Sequence, residues 1–374
     1  MTSTSTNIFI APGEWVSRSD AGILFPLESQ RPYNFGVVLA AGPGGGRYDM
    51  TLTDGDVVAY HMMDPGEVDG VNKKLIEIDG ESVLVMDEAL VQCKIKNPEM
   101  KRKIGEMIKA KERESFFIDY GTDVEMCGFK VAIELKKPDE KTASGIILPE
   151  FKMNKAIANG RIVAISDQAN KIFANPNELK VGMDVLIDKS PSGGMMPMSG
   201  DKVIWRLNSH EIAARFDEES GAWVPVGGRI FIRPLLLFMK KIKQKMPHAT
   251  LEGVMRDEEF WIDTRRPNIL MPITTKFIPQ QGEVVAVGGG WSEHYGAAKA
   301  QGDTGTPPYG PGDVVLHLLL QTNSGELMRG AELIEINGEE LFLVPTNIVE
   351  GVLKDGERLS ELKKLALRPA WHGL

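Results

Sequence analysis

What this chain has little of narrows its chemistry first. Its 374 residues include two cysteines, Cys93 and Cys127. Two are too few for a disulfide framework, and they lack the spacing of metal ligands, so both read as small core or half-exposed thiols. Six histidines, His61, His210, His248, His294, His317 and His372, are scattered without paired spacing, so no metal cluster is expected; His210, in "NSHEI", reads as a surface turn residue. Basic charge is also short. Lys and Arg total 43 against 52 Asp and Glu, a formal charge of -9, which leaves no excess of cations to neutralise phosphates and argues against nucleic acid as a partner. No apolar run approaches the ~18 residues of a membrane span. The opening "MTSTSTNIFIAPGEW" lacks the basic start and apolar length of a secretory leader. The expected address is the cytoplasm, with the inside or surface of a virion as the second option.

Catalytic signatures are missing as well. "GPGGGR" at Gly42–Arg47 lacks the full dinucleotide fingerprint and the Walker lysine with its hydroxyl neighbour, and a turn at the roof of a barrel explains it better. "KKIKQK" is a short basic run on an acidic chain and reads as a solvated face. No nucleophile constellation is present, so the expectation is a protein that is not an enzyme, with no catalytic residue, cofactor or metal.

What is there is repetition. At 42% hydrophobic and 25% charged residues the chain has an ordinary globular composition and is long enough for two or three separate cores. Four sequence elements recur in one order. The first is an aliphatic triplet closed by proline: "DAGILFP" from Asp20, "TASGIILPE" from Thr142 and "RPNILMP" from Arg266. About ten residues on come "GVVLAAG" from Gly36, "GRIVAIS" from Gly160 and "GEVVAVG" from Gly282. Then follow "DGDVVAY" from Asp54, "VGMDVLI" from Val181 and "PGDVVLH" from Pro311. "GESVLVMDEAL" from Gly80, "GDKVIWRLNSHEI" from Gly200 and "GEELFLVPTNI" from Gly338 close the units. Glycine-led β-branched runs read as strands after tight turns, and each unit opens with its own strand: "NIFIAP", "FKVAIEL" and "GRIFIRPLLL". Short strands between Gly, Pro and Asn turns give one all-β sandwich or barrel per unit.

The middle unit resembles the GroES-type co-chaperonins. Its opening strand, "KPDEKTASGIILPE", "NGRIVAIS", "LKVGMDVLI" and "GDKVIWRLNSHEIAAR" stand in that family's order and at about its spacing over Phe129–Phe216. The outer units are similar more weakly, over Asn7–Ile95 and Gly228–Leu353. The resemblance implies small irregular β-barrels, each with a mobile first loop whose aliphatic tripeptide docks between two helices of a chaperonin, so that the barrels form a lid on its folding chamber. Transferred to this sequence, the partner-binding tripeptides are Ile23, Leu24 and Phe25; Ile146, Ile147 and Leu148; and Ile269, Leu270 and Met271. Most of the family carries one barrel per chain in a seven-membered ring, and plastid members carry two, so three in tandem departs from the pattern.

The expected layout is all-β: three tandem GroES-like β-barrels at 1–96, 128–217 and 218–354, a helical linker at 97–127 and a C-terminal helical tail at 355–374. In "NPEMKRKIGEMIKAKERESF", Asn97 can cap a helix, Pro98 suits its first position, and Met100, Ile104, Met107 and Ile108 form a narrow apolar stripe. A solvated connecting helix is the reading adopted. The third unit carries two long inserts, between Phe238 and Pro267 and in "GGGWSEHYGAAKAQGDTGTPPYGPGD", of the kind that is functional or disordered. Open strand edges are a liability, so the barrels are expected to associate side by side, within one chain or in a homo-oligomer. Two functions stay open: a co-chaperonin that caps an ATP-hydrolysing chaperonin, and a structural brick of a large assembly, such as a decoration, neck or tail component of a phage virion, whose tripeptides pack against neighbouring subunits.

Overall fold

Each glycine-led β-branched run becomes a strand. The computed structural model describes residues 7–13, 33–45, 48–61, 73–110, 117–136, 159–188, 194–196, 202–235, 239–247, 255–263, 266–272, 281–293, 305–317, 331–336 and 338–353. Among the described residues the fold is all-β apart from one α-helix and short 3-10 turns. The chain divides into two units, Met1–Gly227 with Trp291–Ala300, and Gly228–Gly290 with Gln301–Leu374.

The first unit holds two large antiparallel sheets. Sheet one comprises β1 (Asn7–Pro12), β2 (Tyr33–Ala41), β5 (Val57–His61), β6 (Lys73–Ile78), β7 (Glu81–Asp87), β8 (Val91–Ile95) and β9 (Val124–Met126), in the order β6-β7-β1-β2-β5-β8-β9. Between β2 and β5, "GPGGGR" contributes to a hairpin of β3 (Gly44–Gly45) and β4 (Tyr48–Asp49). Sheet two comprises β10 (Lys130–Leu135), β11 (Asn159–Ile165), β12 (Asp184–Ile187), β13 (Gly194–Met195), β14 (Ile204–Asn208), β15 (Ile212–Asp217) and β16 (Ala222–Pro225), in the order β13-β14-β10-β11-β12-β15-β16.

The second unit holds β17 (Arg229–Pro234), β18 (Met239–Pro247), β19 (Met255–Asp263), β20 (Arg266–Pro272), β21 (Gln281–Val287), β22 (Val314–His317), β23 (Glu332–Ile336), β24 (Glu339–Pro345) and β25 (Val349–Leu353). Six of these form the sheet β23-β24-β17-β21-β22-β25, which repeats the order of the other two except that, among the described residues, no strand lies beyond β25; β18-β19-β20 form a separate three-stranded sheet. The three large sheets share their irregularities too. The pairing of first and second strands shifts between Phe9 and Ile10, between Ala132 and Ile133, and between Phe231 and Ile232. A bulge inserts one residue and bends the strand, so its recurrence at one place gives the three sheets the same bend.

Helix α1 (Pro98–Ala110) starts where the sequence signals it: the Asn97 side chain accepts from Glu99 N at 3.0 Å and Met100 N at 3.3 Å. It differs from a solvated connector. Ile104 and Met107 are buried, and Met100 and Ile108 pack on a core shared by Phe35, Ala59 and Ile95 of sheet one and Ala132, Ala164 and Ile204 of sheet two. Burying Ile104 and Met107 contributes about 1.5–3 kcal/mol each. The stripe looked too narrow for burial because flanking lysines line it, yet Lys101 reaches Asp56 at 3.0 Å and the helix keeps its charges at the rim. The first four residues of β10 accordingly have no solvent face: Ala132 faces the shared core while Val131 and Ile133 face the interior of sheet two.

Among the described residues of the second unit one ionisable ring is buried. His317, on β22, is 2% exposed, neither ring nitrogen has a hydrogen-bond partner among the described residues, and it meets Phe342 edge-on at 6.2 Å. Burial pushes its imidazole down to about 4. A base whose folded value lies below its unfolded one binds more protons when unfolded, so stability falls as pH drops from about 6.5 towards 4. Thermal melts across that window should show the parent losing stability relative to His317→Phe; parallel curves would contradict this.

Candidate functional site

Each aliphatic tripeptide belongs to the connection between the first and second strand of its sheet, and those strands are hydrogen-bonded neighbours. The feet of the connections are therefore pinned together, with Pro12 opposite Gly36, Leu135 opposite Gly160, and Pro234 opposite Gly282. The three glycines are required by close approach. A Cβ on them would lie 2.3, 2.5 and 2.0 Å from the Cγ2 of Ile10, Ile133 and Ile232, and under 3 Å from the carbonyl oxygens of Ala11, Glu134 and Arg233. Backbone cannot yield as a side-chain tip can, so Gly160→Ala is expected to cost about 1–3 kcal/mol and to spread the feet. Denaturant unfolding of this variant beside the parent checks the figure.

Charges tie the same feet. In sheet two, Asp184 accepts from Lys136 at 2.8 Å and Arg161 at 2.9 Å, one from each foot, and Lys202 pairs with Glu134 at 3.2 Å. Burial would raise the Asp184 carboxyl, but hydrogen bonds from Arg161 and Lys136 outweigh it and hold it below the usual range. In the second unit Arg233 bridges Glu283, at 2.9 Å, and Glu339. These pairs are largely exposed and contribute little to stability; they fix where the connection leaves the sheet.

Ile23, Leu24, Phe25, Ile146, Ile147 and Leu148 lie outside the described residues. Ile269, Leu270 and Met271 lie in β20, with Leu270 opposite Ile262 and Met271 opposite Trp261 of β19. The insert ahead of them is a hairpin: of the lysines of "KKIKQK" on β18, Lys243 and Lys245 stand opposite Glu259 and Asp257 of β19, Lys240 and Lys241 opposite Ile262 and Trp261, and Lys243 pairs with Glu259 at 3.6 Å. Lysines on an outer strand discourage unwanted pairing, which is why a strand looked like a basic run.

One segment matches a known family. Residues 123–216 fit the model of the chaperonin 10 kDa subunit. The match begins at β9, ahead of the first strand of sheet two, and ends within β15. No curated protein matches the chain in a sequence comparison. The chaperonin-10-like segment contains the feet of the middle connection and the tripeptide Ile146, Ile147 and Leu148.

Other residues with unusual chemistry sit elsewhere. Among the described residues no group of His, Cys, Asp and Glu is placed to hold a metal ion, and no helix is long and apolar enough to cross a membrane. Both cysteines are buried, and burial pushes the Cys127 thiol up to about 12. Sequence reading missed Lys130, which is 4% exposed at the start of β10. Burial pushes its ammonium down to about 8, opposed by Cys127, Glu88 and Asp87 and aided by Arg206. Glu88 and Gln92, also buried, each leave one side-chain oxygen without a partner among the described residues. A lysine heading a strand normally points to water, and only the packing of sheet one against this strand encloses it.

Proposed function

We propose that the chain is a non-enzymatic co-chaperonin-like protein, built of three GroES-like barrels, that caps a chaperonin through its aliphatic tripeptides. The observation that carries this reading is the chaperonin-10 match at 123–216, which spans the "GIILP" connection and its pinned feet. The shared strand order, the repeated bulge and the three crowded glycines support extending it to the outer barrels. The division into barrels at 1–96, 128–217 and 218–354, with a linker at 97–127 and a tail at 355–374, belongs to the same proposal.

Energetics shape how such a cap works. Burying three aliphatic side chains contributes about 1.5–3 kcal/mol each, while ordering a free segment costs about 1–2 kcal/mol per residue. One tripeptide binds weakly. Several on one assembly bind by avidity, because the first contact raises the effective concentration of the next, and fusing barrels in one chain enforces it.

A second reading is favoured by a specific observation. Ile269, Leu270 and Met271 occupy a paired strand, as in a barrel reused as a structural brick of a large assembly such as a virion, where the tripeptide packs against a neighbouring subunit. Ile147→Ser with Leu148→Ser separates the two. A cap loses ATP-dependent capture by a chaperonin and keeps the parent's melting temperature. A brick never binds the chaperonin and melts lower in the variant, through lost burial and uncompensated hydroxyls.

A further inference from the structure

The first strands of the three large sheets are close to interchangeable in what they bury. β1 contributes Ile8 and Ile10 to its core, β10 contributes Val131 and Ile133, and β17 contributes Ile230 and Ile232. Each meets its bulge and its crowded glycine at the same place. A tandem chain built this way risks placing one first strand in another sheet, because exchange between like domains is a characteristic way for repeat proteins to misfold. Burial alone does not prevent it.

Three matched positions do differ. One residue past Ile10, Ile133 and Ile232 stand Ala11, Glu134 and Arg233, and opposite them on the second strand stand Val37, Arg161 and Glu283. On the other flank the same isoleucines face Leu84, Trp205 and Phe342, and three residues ahead of these come Glu81, Lys202 and Glu339. In sheet two an acid stands between two bases: Glu134 lies opposite Arg161 and pairs with Lys202 at 3.2 Å. In the second unit a base stands between two acids, with Arg233 donating to Glu283 at 2.9 Å and to Glu339. All three signs are inverted. Sheet one has the uncharged Ala11 and Val37 at the first two positions.

We propose that these three positions sort the first strands during folding, so that each sheet accepts only its own. β17 in the place of β10 would set Arg233 between Arg161 and Lys202, and β10 in the place of β17 would set Glu134 between Glu283 and Glu339. Like charges directly opposite one another are destabilising. Specificity is the difference between the right pairing and the wrong one, so exposed pairs that add little to native stability still decide which strand enters. β1 in either place brings Ala11, which answers neither set. The device concerns assembly of the chain and holds for a cap and for a structural brick alike.

The test refolds the full chain from denaturant by dilution and measures the fraction that regains the parent's near-ultraviolet circular dichroism and elution volume on size exclusion. Arg233→Glu, Glu283→Arg and Glu339→Lys together give the second unit the signs of sheet two, which keeps every native attraction and removes the difference between the sheets. The refolded yield should fall several-fold, while the correctly folded fraction keeps the parent's melting temperature. A second variant completes the exchange by adding Glu134→Arg, Arg161→Glu, Lys202→Glu and Asp184→Val, the last because Val314 stands opposite Glu283 where Asp184 stands opposite Arg161. Opposite signs are then restored, and the yield should return to the parent's. Three results overturn the proposal: a first variant that refolds as well as the parent, a first variant whose folded fraction melts lower, or a second variant that refolds as poorly as the first.

Discussion

Trp291→Ala is expected to remove about 3–5 kcal/mol from the stability of the first unit. Trp291 belongs to that unit although its chain neighbours on either side of Trp291–Ala300 belong to the second. Its indole is 9% exposed, joins the core of sheet two, and stacks on Phe173 with ring centres 5.6 Å apart and planes 19° from parallel. Ser292 N donates to Ile172 O at 2.9 Å, and Trp291 bridges Phe173 through the backbone. Gly227 completes the seat. It adopts a φ of 63°, and a Cβ there would lie 2.6 Å from the ring. An alanine at 291 leaves a cavity lined by residues that the sheet holds in place, so little collapse can offset the loss. Denaturant unfolding followed by far-ultraviolet circular dichroism measures the cost, and Trp291→Phe should recover more than half of it. A loss under ~1 kcal/mol would mean that the indole is not part of this core.

Lys130→Met is expected to stabilise the first unit at neutral pH by up to ~3 kcal/mol. Lys130 keeps its stem and its head buried, and its depressed value of about 8 means that desolvation outweighs the attraction of Cys127, Glu88 and Asp87. Each unit of depression corresponds to about 1.4 kcal/mol. Removing the charge could instead harm Glu88, since stripping one member of a buried pair leaves the other exposed to the same penalty. The depression favours the first effect, because desolvation of the ammonium outweighs those attractions. Glu88 also keeps Thr51, whose amide and hydroxyl donate to its Oε1 at 3.0 and 2.7 Å. The sign with pH follows. Between about 8 and 10.5 the unfolded chain holds the proton that the folded chain has lost, so the parent gains stability as pH rises through that window. The gap between parent and variant should close there; a gap that is constant, or a variant less stable at pH 7, would refute the account.

How much of this was legible in the sequence differs by element. Strands β2, β11 and β21 were readable because glycine precedes a β-branched run and the glycine is forced by Ile10, Ile133 or Ile232 across the pair. The N-terminal boundary of α1 was readable from Asn97 and Pro98, whereas its burial was not, since a second surface has to arrive before an amphipathic stripe becomes interior. Strands β9 and β16 are short, fall in the expected helical linker and at the start of the expected third barrel, and each forms by pairing with the edge of the preceding sheet. Trp291 was hidden in "GGGWSEHYG", whose glycines signal a loop while the indole supplies the packing. Of the candidate site, the position of the tripeptides between first and second strands was legible, and the pairing of Ile269–Met271 in a sheet was not, because lysines disguised β18.

The pinned feet also bear on how this fold changes over time. Where two strands leave a sheet side by side, the chain between them begins and ends at nearly the same point, and lengthening it costs only about 0.6 kcal/mol for each doubling. Pro234 opposite Gly282 repeats the exit geometry of Leu135 opposite Gly160, although the second unit has placed an entire three-stranded sheet in the gap. The exit behaves as a socket: foreign sequence can be plugged in there, and rewritten from one repeat to the next, without the barrel registering the exchange.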